Sequence, residues 1–319
     1  MARRCTANRG VRVAIIGPGV VGTTYAVYLA RAGMDVTLLA RGEGAQTLGR
    51  GRVAIRDLIT RRRLSAPVHV VSALPPDDRF DLALLTVRAP QTIQALAQVR
   101  DLDKATPLVI MQNNSGEVAP LLRTCGESSL LLGFPGTGGS RLGGVVHSLP
   151  LWAGVTVLGE SDGSSTPRLR QAAAVLRRAG LQVEIQRHMV PWLKTQAAML
   201  VVLAGVVRRN GGMRALSRNA AEVEFYLSTL REAWALLEAS GTPVTPPAQL
   251  GLFARPRWLQ HLSVRVAGLL YWVSPVIDTY IDAANDELTS AYEHLRTLAA
   301  EAGVDVPLLE HLAPYFTER

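Results

Sequence analysis

Of the 34 basic residues in this 319-residue chain only two are lysines, Lys104 and Lys194. Lys194 falls in Trp192-Leu193-Lys194, one turn into an otherwise apolar helical segment. An ammonium held in a cleft, with a pKa that adapts to partial burial, can give a proton to a carbonyl oxygen as hydride reaches the carbon. The alternative is a lysine that lays its stem along apolar surface at a helix start. In a chain so biased toward arginine, a retained lysine tips the reading toward chemistry. A hydride needs a carrier, and the residues suited to hold one lie near the N-terminus.

There Gly17-Pro18-Gly19-Val20-Val21-Gly22 follows the spacing G-x-G-x-x-G. Gly17 permits a sharp turn, Gly19 lets backbone approach a pyrophosphate, and Gly22 lets a helix pack close to a strand. The spacing alone is generic. It gains force because an apolar run rich in β-branched residues precedes it from Val11 to Ile16, a helix over Val20–Ala32 follows, and a second strand runs over Val36–Ala40. The free N–H groups and positive dipole end of that helix then face the phosphates. The second strand ends at Arg41 rather than at the acidic residue expected roughly 20 residues after the glycines of an NAD site. Arginine suits a 2′-phosphate, so the cofactor is read as NADP(H); the alternative for Arg41 is a solvated surface cation.

The elements that must position these residues alternate strand and helix to about residue 187. A β-hairpin is predicted over Val53–Ser72 with Arg61-Arg62-Arg63 at its tip. Strands are predicted at Phe80–Val87, Leu108–Met111, Leu130–Phe134, Val145–His147, Gly154–Leu158 and Leu181–Ile185. Helices are predicted at Pro90–Val99, Ser115–Leu122 and Pro167–Ala179, and a glycine-rich loop at Pro135–Gly139. Ligands bind at the C-terminal ends of strands in open parallel sheets. Arg41, Arg88, Asn113 and the Gly136–Gly139 loop stand at four such ends and define a shared cleft, although Asn113 is also placed to cap the next helix. From His188 the pattern is helical only: Val190–Arg208, Ser217–Ala239, Pro256–Val273, Thr279–Ala302 and Pro307–Tyr315. The fold class is therefore α/β, a Rossmann-type parallel-sheet domain (1–187) followed by an all-helical domain (188–319), with the active site between them.

Composition narrows the classes. The net charge of +8 comes from scattered arginine clusters without a nucleic-acid reading motif, so a basic surface around an anionic cofactor is preferred and no nucleic-acid partner is expected. Two cysteines, Cys5 and Cys125, build no disulfide framework and point to a reducing, cytoplasmic setting. The longest apolar run, Ala197–Val207, is short of the roughly 18 residues of a membrane span. The histidines lack ligand spacing, so no metal is expected.

In this order and spacing GPGVVG with Arg41, LALLTV followed by Arg88, VIMQN ending in Asn113, Trp192–Lys194 and EAGVDVP (Glu301–Pro307) resemble the ketopantoate reductase (2-dehydropantoate 2-reductase) family over nearly the whole chain. The resemblance implies an NADPH-dependent reduction of a 2-oxo acid, a step of pantothenate biosynthesis, with a small-molecule substrate and a homodimer allowed. It implies Gly17, Pro18, Gly19, Val20, Val21 and Gly22 at the phosphates, Arg41 at the 2′-phosphate, Arg88 in place of a cleft lysine, Asn113 beside the nicotinamide ribose and Gly139 against the cofactor. It makes Lys194 the catalytic lysine and places Glu287 at the nicotinamide end; without it, Glu287 reads as an ordinary helix carboxylate.

The substrate side departs from the family. The family's asparagines one and two turns after the lysine are Ala198 and Val202 here. Asn210 and Ser274, the latter in a stretch SPVID where a serine-rich substrate loop is expected, are the remaining polar candidates. Losing those partners, at roughly 1–3 kcal/mol per group, implies a substrate bulkier or more apolar than ketopantoate, an imine or another ketone included. A non-catalytic NADPH-binding sensor is the reading from another class. Leu252–Val273, with Trp258, Tyr271 and Trp272, maps poorly onto the family; a helix packing in a dimer or a peripheral membrane contact would both account for it.

Overall fold

The computed structural model describes residues 10–41, 51–74, 78–88, 91–99, 102–112, 130–150, 154–246, 251, 253–270 and 274–316. Asn113, both cysteines, Tyr271, Trp272 and the helix expected at Ser115–Leu122 lie outside the described residues. In chain order the first half contains β1 (Arg12–Ile16), α1 (Val20–Arg31), β2 (Asp35–Leu39), β3 (Arg52–Asp57), β4 (Arg63–Pro67), β5 (His69–Val71), β6 (Leu82–Leu85), α2 (Thr92–Gln98), β7 (Leu108–Met111), β8 (Leu130–Phe134), β9 (Thr137–Leu142), β10 (Val145–Pro150), β11 (Val155–Gly159), α3 (Pro167–Arg178) and β12 (Gln182–Ile185). The second half contains α4 (Met189–Arg209), α5 (Met213–Arg218), α6 (Ala220–Ala239), α7 (Arg257–Leu269), α8 (Ser274–Ala283), α9 (Asn285–Ala302) and α10 (Pro307–Glu310).

Eight strands form one sheet in the order β12-β11-β8-β7-β6-β1-β2-β5. All neighbours are parallel except β11 against β8. The central strands are apolar throughout because both faces are covered. Val13 and Ile15, Leu82 and Leu84, and Val109 and Met111 pack on one face, while Ala14 and Ile16, Ala83 and Leu85, and Leu108 and Ile110 pack on the other. This two-residue alternation is what a buried strand must do.

Two local expectations are corrected. The stretch expected as one hairpin to Ser72 divides: β3 and β4 pair antiparallel with the arginines at their turn, whereas β5 returns to the main sheet parallel to β2. The glycine-rich Pro135–Gly139 loop is only partly a loop, since Thr137 begins β9, which pairs with β10 in a second sheet of order β4-β3-β10-β9. Glycines read as loop by composition, yet here they admit a close strand. Gly139 holds φ +138°, and a β-carbon on it would lie 1.9 Å from His147 O.

Helical boundaries also shift. The helix expected over Ser217–Ala239 breaks at Asn219, whose side chain accepts from Ala221 N (3.0 Å) and Glu222 N (3.4 Å) and so begins α6. Thr279–Ala302 divides at Ala284 into α8 and α9. The twenty-one residues of α4 are long and apolar enough to cross a membrane by length and composition, and 67% of their apolar window is buried within the fold. α4 packs against α6 and α9 around a core that holds Ala198, Val202, Leu227, Trp234, Leu288 and Tyr292. α7 turns Trp258, Leu262, Val266 and Leu269 outward.

Gly139→Ala is expected to lower folding stability by at least about 1–3 kcal/mol, because both the positive φ and the β10 backbone oppose a side chain. A chemical denaturation midpoint equal to wild type would contradict that origin for the glycine.

Candidate active site

The site grows from the turn after β1. Gly17 takes φ +112°, and its N–H donates to Leu39 O at 3.2 Å, which ties the turn to β2. A β-carbon on Gly17 would meet Val87 Cγ1 at 2.9 Å, and one on Gly22 would meet Gly17 O at 2.0 Å. Both glycines are therefore demanded by packing. Gly19 is different: a β-carbon there would find only Thr86 O, at 3.9 Å. The fold leaves room at Gly19, on the side that opens into a cavity, so the glycine serves something that enters the cavity. Thr86 Oγ1 sits 2.9 Å from Gly17 O and 3.0 Å from Ile16 O, donating between them and fixing the end of β1.

Two cavities flank this turn. One, of about 280 Å³, is lined by Gly17, Pro18, Leu39, Arg41, Gln91 and Gln94. Among the described residues the end of β2 presents no carboxylate: Asp35 is at the strand's start, 3.3 Å from Arg12 and 3.4 Å from His69. Arg41 is exposed, and its Nε donates to Ser72 O at 3.1 Å, which holds the guanidinium at the cavity edge. The other cavity, of about 400 Å³, runs from Gly19, Val20 and Val21 past Met111 and Phe134 to Ala283, Ala284 and Glu287. A dinucleotide has one end for each cavity and a diphosphate for the turn between them, so the residues present fit the group.

The far wall of the larger cavity belongs to the helical half. Arg88, just past β6, donates through Nη1 to Ala283 O at 2.7 Å. Ala283 ends α8, where a helix has carbonyls without intrahelical partners, so a cation is well placed there. Three residues into α9, partly buried Glu287 faces the same space. Loss of water around its carboxyl pushes its pKa up to about 7, with Arg88 pulling the other way. Glu287 thus exchanges a proton near neutrality at the cavity wall. Gln112 is buried in the lining and donates through Nε2 to Thr92 Oγ1 at 2.5 Å.

The residues singled out from sequence are only partly brought together. Gly19, Val20, Val21, Arg88, Gly139 and Glu287 line the larger cavity, and Gly17, Pro18 and Arg41 the smaller. Lys194 is in neither lining; its Nζ is 3.5 Å from Thr242 Oγ1. Its helix nevertheless starts beside the cavity, since Trp192 meets Phe134 edge to face at 5.1 Å between ring centres. Asn210 closes the end of α4, its amide donating to Val206 O and to Glu222 Oε2, each at 2.9 Å. Ser274 is buried at the start of α8, where its hydroxyl donates to Gly268 O. Ala198 and Val202 are wholly buried in the helical core. Residues the sequence did not single out include Gln112, Thr86 and Arg141. Arg141 projects from β9 and donates to Pro18 O at 2.7 Å.

A largely parallel sheet carrying a glycine turn, with a helical half at its strand ends, defines a Rossmann-type fold. Residues 13–163 match the family model described as ketopantoate reductase PanE/ApbA. The 2-dehydropantoate 2-reductase of Archaeoglobus fulgidus is 30% identical over 173 residues, 54% of this chain and 55% of that one. Its namesake in Pyrococcus horikoshii is 26% identical over 188 residues, 57% and 58% of the two chains. The matched stretches thus span just over half the length of these relatives. The likeness to the ketopantoate reductase family is carried by residues 13–163, just under half of the chain. Solved structures extend the likeness of fold to nearly the whole chain. The 2-dehydropantoate 2-reductase of Geobacter metallireducens GS-15 superposes with a TM-score of 0.77 at 19% identity, covering 96% of this chain and 99% of that one. A D-mandelate dehydrogenase in complex with NADH and anilino(oxo)acetate does so at 0.75 and 15%, covering 96% and 97%.

Gly22→Ala is expected to unfold the β1–α1 corner, while Gly19→Ala keeps the wild-type melting temperature and loses dinucleotide affinity; equal stability losses would remove the distinction between them. A second expectation concerns pH. A glutamate whose pKa rises from 4.5 to about 7 on folding favours the folded state most fully below pH 4.5, and that contribution is lost as pH rises through 7. Glu287→Gln should therefore be more stable than wild type above pH 7, by on the order of 1–3 kcal/mol, and match it near pH 4. Parallel stability curves for the two proteins would show that Glu287 is not desolvated.

Proposed function

We propose that this protein is an NADPH-dependent reductase that delivers hydride to the carbonyl of a 2-oxo acid, 2-dehydropantoate or a more apolar relative of it. The observation that carries the reading is the larger cavity itself, with a glycine turn at one end and, at the other, Arg88 and Glu287 from two halves of the chain. The names of the curated relatives support the activity, and the NADH complex of the mandelate dehydrogenase supports a nicotinamide cofactor.

NADPH, when bound, supplies the hydride; the chain's own groups do the rest. Gly19 and the first N–H groups of α1 hold the phosphates, and Arg41 discriminates for the 2′-phosphate. Arg88 offers positive charge to the substrate carboxylate. Met111, Phe134 and Ala284 keep water from the reacting carbon. The proton that completes the alcohol is assigned to Lys194 Nζ on the family resemblance, its side chain having to turn from Thr242 toward the cavity, where Glu287 ionises near pH 7. Asn113 is assigned to the nicotinamide ribose on the family resemblance. The same proposal places the chain in the cytoplasm, with residues 1–187 as the nucleotide domain and 188–319 as the substrate domain, and leaves a homodimer to be measured.

Oxidation of NADPH followed against 2-oxo acids, 2-dehydropantoate and aryl-substituted ones among them, tests the reading. Turnover is expected on at least one, and Lys194→Ala should reduce it roughly 10²–10⁴-fold with NADPH affinity kept. Unchanged turnover in that variant takes Lys194 out of the chemistry. Tight NADPH binding without turnover on any 2-oxo acid, ketone or imine replaces the reductase by a sensor.

A further inference from the structure

The glycine turn has a neighbour that no motif announces. Arg141 lies near the end of β9, one residue beyond buried Ser140, and lines the larger cavity together with Gly19, Val20 and Val21. Two of its donors are spent on backbone: Nη2 donates to Pro18 O at 2.7 Å and Nη1 to Gly144 O at 3.2 Å. The first contact pins the guanidinium against the middle of the glycine turn. The second comes from the β9–β10 turn, where Gly143 and Gly144 take φ +55° and +78°. A guanidinium has five N–H donors, so three remain. No carboxylate among the described residues forms an ion pair with Arg141. Its side chain is exposed on the cavity side, and the partial loss of water it does suffer draws its pKa below the usual arginine value. A cation fixed by two neutral carbonyls, facing the glycine turn, has no counter-charge among the described residues.

We infer that Arg141 supplies the positive charge for the bridging diphosphate of the dinucleotide, gripping from the second sheet what the α1 N-terminus grips from the first. The inference rests on the nicotinamide-dinucleotide reading above. It assigns separate phosphates to separate arginines: Arg41 answers the 2′-phosphate that only NADPH carries, and Arg141 the diphosphate that NADPH and NADH share. Planar, forked guanidinium groups suit that geometry better than a lysine does. It also gives the four-stranded sheet a role, because the β9–β10 pairing that requires Gly139 is what carries Arg141 over Pro18.

Isothermal titration of wild type, Arg141→Gln and Arg141→Lys with NADPH, NADH and adenosine 2′-monophosphate tests the assignment. Adenosine 2′-monophosphate has the adenine-side phosphate and no diphosphate. The expected result is that Arg141→Gln weakens NADPH and NADH by the same factor, roughly 10–100-fold. Arg141→Lys should fall between it and wild type, and adenosine 2′-monophosphate should bind all three proteins alike. The ligand-free melting temperature should stay at the wild-type value. Wild-type affinity for NADPH in Arg141→Gln overturns the assignment and leaves the dinucleotide reading intact. So does an equal loss for adenosine 2′-monophosphate, or a drop in ligand-free melting temperature that accounts for the loss, since either means that Arg141 only props the turn. Failure of wild type to bind either dinucleotide overturns both.

Discussion

The closeness of α1 to the end of β1 is the constraint on which everything else in this molecule depends. A β-carbon on Gly22 would stand 2.0 Å from Gly17 O, so the helix can start where it does only because residue 22 has no side chain. That start brings the first N–H groups of α1 to the strand ends, where Thr86, Arg88 and Gln112 arrive from β6 and β7. Move α1 outward by the width of a methyl group and the turn no longer meets Thr86, nor Pro18 O the guanidinium of Arg141. The packing requirement and the binding surface are the same few atoms. Gly19 is the exception that separates the two, being a glycine the packing does not need.

Charge is distributed around that turn with a consistent logic. Among the described residues, Arg41, Arg88 and Arg141 spend donors on backbone carbonyls, at Ser72, Ala283 and Pro18, and not on carboxylates. A carbonyl orients a guanidinium without neutralising it, which leaves net positive charge for an anionic ligand. Two acids elsewhere in the first half are paired with other bases, Asp35 with Arg12 and Glu160 with Arg168. Glu287 is the acid that does enter the cavity, and burial keeps it poised between charged and neutral.

The fold is legible in the sequence where local rules and tertiary packing agree. β1, α1 and β2 come out within a residue of their observed ends, since an apolar strand, a glycine turn and a helix face each leave their own period. The long helices of the second half are legible for the same reason, while their breaks at Asn219 and Ala284 are not, because apolar spacing continues across both. β9 is illegible: Gly138 and Gly139 carry no strand propensity, and the strand exists because β10 offers a ladder that only a glycine can approach. Arg141 is hidden with it, one arginine among many until the second sheet folds over Pro18. Serine and asparagine mislead in the opposite direction. Ser274 and Asn210 look available for a substrate, yet each spends its hydrogen bonds holding helix ends together. Glu287 can be located by resemblance but its pKa cannot, since that depends on burial beneath the other half of the chain and on Arg88.

On the function proposed above, the Val11–Arg41 unit receives a nicotinamide dinucleotide bearing a 2′-phosphate. Dissociation constants for NADPH and NADH, measured on wild type and Arg41→Ala by quenching of intrinsic tryptophan fluorescence, decide whether it does. The expected result is tighter binding of NADPH than of NADH by wild type, and a preference that disappears in the variant through loss of NADPH affinity with little change for NADH. Equal affinities for the two in wild type, or equal losses for both on removing Arg41, would contradict it.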